Sequence, residues 1–170
     1  MMRNGAPIRR GFWLVETAGA IAVIGVGIVA MMSSHQAWHV QAATADRLAT
    51  GMRLAGEIRE YSLLLSSNDP VTGTAIWGTE PGESLPWDAD DLDDLDDALF
   101  AADLGTGPID ATGSVIPGMD GWSQQVTVSC VDPFNITAIV GDGSSQTMRV
   151  EVSASLNGNE LARLSWTMSP

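Results

Sequence analysis

Lysine is absent from this 170-residue chain, and eight arginines stand against 21 aspartates and glutamates, for a formal net charge of −13. Between Glu60 and Met148 there is no basic side chain at all. A surface so one-sided repels phosphate backbones, which excludes nucleic acid as a partner. Cysteine is nearly missing too. Cys130 alone cannot close an internal disulfide, and its alternation with valines marks it as a small buried hydrophobe rather than a nucleophile. No proline falls between Pro7 and Pro70, so a helix can run through that window unbroken. The two histidines, His35 and His39, have no serine or acid partner in a pocket-forming segment, and no glycine-rich phosphate loop occurs. That inventory argues against an enzyme.

What is present begins at Arg9-Arg10-Gly11-Phe12-Trp13-Leu14-Val15-Glu16 and continues as an apolar run to Met32. From Phe12 to Met32 the only formal charge is Glu16. The run is long enough to cross a hydrocarbon core of ~30 Å as a helix. A carboxylate inside such a segment is costly and needs a partner, so Glu16 is a functional candidate. A secretory signal peptide fits less well, because the run is long and no small-x-small cleavage site precedes polar sequence. An ordinary signal anchor accounts for the arginines but not for the Gly-Phe junction or Glu16.

Those residues resemble the N-terminus of the type IV pilin-like and pseudopilin family. The resemblance implies cleavage by a prepilin peptidase between Gly11 and Phe12 and N-methylation of Phe12. It also implies a contact between Glu16 and the free amine of a neighbouring subunit's Phe12. A buried pair of that kind serves register better than stability. Loss of residues 1–11 would leave five arginines against 21 acids, a net charge of −16. Many family members carry a proline in this helix, and major pilins often have a C-terminal disulfide; neither feature is present here.

Along the chain, residues 1–11 read as a leader and 12–32 as the membrane part of a helix. Small residues there, Gly19, Gly25 and Gly27 among them, would let neighbouring helices approach closely. His35 and His39 lie one turn apart, but two ligands without a third make a poor metal site, and Trp38 suits a membrane–water boundary. Residues 33–66 continue the helix as an amphipathic segment, with Ala45, Leu48, Met52, Ala55 and Ile58 as the stripe facing a soluble domain. The whole helix would be roughly 75 Å long. Residues 67–121 form an acidic region rich in Gly and Pro. In it, Leu92, Leu95 and Leu99 suggest a short helix with a solvated acidic side. Asp88, Asp90, Asp91, Asp93 and Asp94 are alternatively weak calcium candidates, since calcium takes six to eight oxygens, although an EF-hand's glycine and closing glutamate are absent.

Asp90–Leu95, Pro108–Gly113 and Gly121–Val128 together resemble minor pilins of the PilV and MshD kind. From 122 to 170 the period changes to two. Val126, Val128 and Cys130 share one face, Met148, Val150, Val152 and Ala154 another, and Asn157-Gly158-Asn159 marks a hairpin. Asn135-Ile136-Thr137 is a chance glycosylation sequon in a chain of prokaryotic export type. The expected fold is α+β and type IV pilin-like, a long N-terminal helix packed on a small antiparallel sheet. The expected function is that of a minor pilin or pseudopilin in a type IV pilus or type II secretion pseudopilus. Its partners would be the prepilin peptidase, other pilin or pseudopilin subunits and the inner membrane, with a single pass and a periplasmic head. The alternative is a membrane-anchored binding module whose acidic head takes calcium.

Overall fold

The computed structural model describes residues 10–69, 73 and 76–169; the leader residues before Arg10 lie outside them. Helix α1 spans Arg10–Ser62, as the proline-free, alanine-rich sequence allows. The chain divides into two compact units, Met1–Ala45 and Asp46–Pro170, and α1 contributes to both.

In the first unit every residue from Trp13 to Ala45 is exposed. Trp13, Leu14, Val15, Ile21, Ile24 and Val26 are 61–78% exposed. Apolar residues on all sides of a helix require an apolar surrounding. By length and composition this is a candidate membrane-spanning helix.

In the second unit the C-terminal part of α1 packs on an antiparallel sheet. The strands are β1 (Leu99–Ala101), β2 (Trp122–Asp132), β3 (Asn135–Ile139), β4 (Met148–Leu156) and β5 (Asn159–Met168). Their order is β1-β2-β4-β5, with β3 also paired to β2, at its far end. Alternation decides the inward face. Val126, Val128 and Cys130 of β2 and Met148, Val150, Val152 and Ala154 of β4 are all at most 2% exposed. The β4–β5 hairpin turns on Asn157 and Gly158, both at positive φ (50° and 76°), the geometry a two-residue loop needs to match strand twist.

The helix face that meets this sheet differs from the expected stripe. Ala55 and Ile58 are buried, but Leu48 and Met52 remain 43% and 51% exposed, and Ala45 is exposed as well. The buried face is Gly51, Leu54, Ala55, Ile58 and Tyr61. Gly51 favours it: a β-carbon there would lie 3.2 Å from the Ala162 Cβ of β5, so a side chain would push helix and strand apart by a few tenths of an ångström. The core then gathers Ala55, Ile58 and Tyr61 with Leu92, Leu95, Phe100 and Ile109 over the inward faces of β2 and β4.

Two side chains hold the connections to this core. Gln124, fully buried on β2, accepts from the Ile109 N–H at 2.8 Å and donates to the carbonyls of Leu54 (2.8 Å) and Ile109 (3.1 Å). Asp96 covers the edge of β2 between the start of β1 and the end of β3. Its carboxylate accepts from the Val128 N–H at 2.8 Å and from Trp77 Nε1 at 3.0 Å.

The loop at 108–116 is folded over one carboxylate. Asp110 accepts from the Thr112 hydroxyl (2.6 Å), the Thr112 N–H (2.8 Å) and the Ser114 N–H (3.1 Å). The Thr112 hydroxyl and then the N–H groups hold the Asp110 carboxyl below its ordinary value of 3.8. A depressed acid contributes stability above its unfolded pKa and loses it as pH falls through the folded one. Asp110→Ala is therefore expected to lower the melting temperature at pH 7 by about 3–6 °C. The deficit should shrink as pH falls below 3.8 in a melting series.

Candidate functional site

Two sets of residues carry chemistry, one in each unit. In the first, Gly11, Phe12 and Glu16 follow one another along the first two turns of α1. The Glu16 side chain is exposed among Trp13, Thr17 and Ala20. One helical turn separates Glu16 from Phe12. Thr17 spends its hydroxyl on the Trp13 carbonyl at 2.6 Å, as a polar group in an apolar segment must, so it does not compete for Glu16. His35 and His39 stack at 4.9 Å with their rings within 3° of parallel, and lie on an exposed face.

The second set is the acidic region, and here the expected short helix with a solvated acidic side is overturned. Over residues 92–99 a single 3-10 turn forms, Asp93–Leu95, and Leu99 instead opens β1. Leu92 and Leu95 do enter the core, but the acids go inside with them. Asp91, Asp93 and Asp94 are 2%, 5% and 1% exposed, and Asp69 is 8% exposed. The cause is the tie of this segment to the end of α1. Ser66 accepts from the Leu92 N–H at 2.9 Å and pairs with Asp91 as a parallel bridge, which turns the carboxylates under the chain.

Backbone donors occupy part of each carboxylate. Asp94 Oδ2 accepts from the N–H groups of Asp90 (3.1 Å) and Asp91 (3.5 Å). Asp91 accepts from the Asp94 N–H at 3.2 Å, and Asp93 from the Gly78 N–H at 3.1 Å. Asp88 stays at the surface and accepts from Ser84. Glu80 and Glu83 face each other across a Pro81-Gly82 turn closed by the Glu83 N–H on the Glu80 carbonyl (3.1 Å), and the Glu80 N–H returns to Glu83 Oε2 at 2.8 Å.

Two groups of carboxylates result. The oxygens of Glu80, Glu83 and Asp94 lie within 4.8 Å of one another, and so do those of Asp69, Glu83 and Asp90. Glu83 belongs to both. Electrostatics record the crowding. Burial, above all, pushes Asp91 up to about 7, helped by a hydrogen bond with Asp93 and the charges of Asp93 and Asp94. Burial also raises Asp94 against its two N–H donors, with Glu80 and Asp90 adding repulsion. For Glu83 the Glu80 N–H pulls down, but burial, a hydrogen bond with the Glu80 carboxyl and the charges of Asp94 and Glu80 together prevail upward.

Of the five aspartates named from the sequence, the structure brings Asp90 and Asp94 into these groups and leaves Asp88, Asp91 and Asp93 out. Asp69, Glu80 and Glu83 were missed. Glu-Pro-Gly-Glu was the available signal, since a proline–glycine turn sets the residues on either side of it next to each other. Compared with known proteins, the chain matches no family model, no curated protein and no solved structure.

Proposed function

We propose that this chain is a minor pilin or pseudopilin, a structural subunit cut by a prepilin peptidase and assembled through its N-terminal helix. The observation that carries the proposal is the Gly11-Phe12 junction, followed one turn later by Glu16. Glu16 is the one charge in a helix segment exposed and apolar on all sides. A helix of that kind first needs lipid and then, on leaving it, the equivalent helices of other subunits. The α+β arrangement of the second unit supports the same reading. The proposal places the protein in an inner membrane as a single pass, with its head on the periplasmic side, and later in a filament.

N-terminal and intact-mass analysis of the membrane-extracted protein, with and without an active prepilin peptidase, tests this. The expected mature chain begins at Phe12 and carries one added methyl. A chain left uncut, or cut elsewhere, would overturn the proposal. The anchored binding module would then stand in its place, supported by the carboxylate groups of the head.

A further inference from the structure

Asp91, Asp93 and Asp94 bury their carboxyl groups in one short stretch of chain, which is tied to the end of α1 through Ser66. Backbone N–H groups reach all three. Neutral donors relieve part of the cost of burying a carboxylate, but they supply no counter-charge. The titratable groups facing the cluster are acids on every side. They are Asp90 on the same stretch, Asp69 beyond the end of α1, Glu80 and Glu83 on the neighbouring turn, and Tyr61 on α1 itself. No arginine, lysine or histidine occurs from residue 61 to 148, and Arg59, near the end of α1, is paired with Glu60. The side chains of Asp91 and Asp93 are hydrogen-bonded to each other. Two ionised carboxylates can only accept, so that bond requires one proton, donated by one carboxyl group to the other.

We propose that this proton is a pH-sensitive clasp: shared between Asp91 and Asp93, it holds the stretch at 91–95 against the end of α1, and its loss loosens that tie. Protonation removes one of three buried like charges and leaves the bonds from the backbone in place. Burial first, then the bond with Asp93 and the charges of Asp93 and Asp94, push the Asp91 carboxyl from 3.8 up to about 7, against the pull of the Asp94 N–H. An acid raised on folding adds stability that is complete below its unfolded value and is lost as pH rises through the folded one. The head is therefore tighter in mild acid and weakens as pH rises from 3.8 through about 7. Asp110 acts in the opposite sense, but below 3.8 and so outside this window. The inference concerns the head alone and stands whether or not the chain enters a filament.

The test is thermal melting of the detergent-solubilised full chain at constant ionic strength, followed by near-ultraviolet circular dichroism. The parent is expected to melt roughly 5–10 °C higher at about pH 5 than at about pH 8. Asp91→Asn keeps an acceptor for the Asp94 N–H and a donor for Asp93, as the protonated acid does. It should match the parent in acid, exceed it at about pH 8 by the same amount, and lose most of the pH dependence. Asp103→Asn, an equal change of charge at an exposed acid, should melt as the parent does throughout. At about pH 8 the Leu92 N–H should exchange with solvent roughly 10-fold more slowly in Asp91→Asn than in the parent. Infrared spectra of the parent, which register protonated carboxyl groups without any substitution, should lose a carboxylic-acid band as pH rises through about 7. Absence of that band would overturn the clasp, as would a parent no more stable in acid. So would an undiminished pH dependence in Asp91→Asn, which means general repulsion over an acidic surface.

Discussion

Gln124→Leu is expected to lower the melting temperature of the head by roughly 10–20 °C, with the helical content of α1 retained. Leucine fills nearly the same volume, so little of the loss would come from packing. The cost lies in what is orphaned. Gln124 is fully buried and is the acceptor for the Ile109 N–H and a donor to the Ile109 carbonyl. Both groups stay in the core after the substitution, and each unpaired one costs about 1–3 kcal/mol. The Leu54 carbonyl loses its contact from Gln124 but, lying inside α1, still serves as a helical acceptor, so it adds less. The total of about 2–6 kcal/mol is a large fraction of what a domain of this size possesses. Gln125→Leu, one residue on and facing the other way, should cost less than a third as much. Circular dichroism melts of both variants decide the matter: a shift below about 3 °C for Gln124→Leu would remove Gln124 as the tie between α1, the 108–116 loop and the sheet.

That residue also shows how far the fold was legible. The period of two in β2 was plain from Val126 to Cys130, and the same period extends back to Gln124, which shares their inward face. A polar residue on a buried face announces partners, but only the tertiary structure says which. Strand pairing around Asn157-Gly158 could be read because alternation and turn chemistry are local. The helix's buried face could not. Leu48, Met52, Ala55 and Ile58 make the more hydrophobic stripe, yet the sheet meets the face with Gly51. There a side chain is missing and Ala162 can approach. Close approach depends on what is small on both partners, and hydrophobic periodicity records only what is large.

The acidic region was misread for a related reason. Clustered aspartates suggest a solvated face on the ordinary cost of burying charge, and Asp88 follows that rule. Asp91, Asp93 and Asp94 break it because backbone N–H groups reach them from Asp94, Gly78, Asp90 and Asp91, and Ser66 fixes the strand direction that makes this possible. Those donors and the Ser66 tie come from three separate stretches of chain. Local charge density therefore gave the right neighbourhood and the wrong side of the surface.

Glu16→Leu is expected to leave cleavage after Gly11 intact and to reduce incorporation of the subunit into filaments about 100-fold or more. Removing a carboxylate from an apolar segment makes membrane insertion easier, so a failure to reach the membrane cannot account for the loss. What changes is the partner of the new N-terminal amine. In the proposed filament the Phe12 amine of one subunit meets Glu16 of its neighbour, away from water. Taking one member from such a pair leaves a buried uncompensated charge at a cost of about 3–5 kcal/mol, which is about 10²–10⁴ in an equilibrium. Glu16→Gln, which keeps an acceptor without the charge, should fall between the two. Quantitative recovery of tagged subunit in sheared or membrane-extracted filaments, alongside intact mass of the processed chain, measures both quantities in one preparation. Equal recovery of Glu16→Leu and the parent would strip Glu16 of any part in assembly, and the helix would then be an anchor alone.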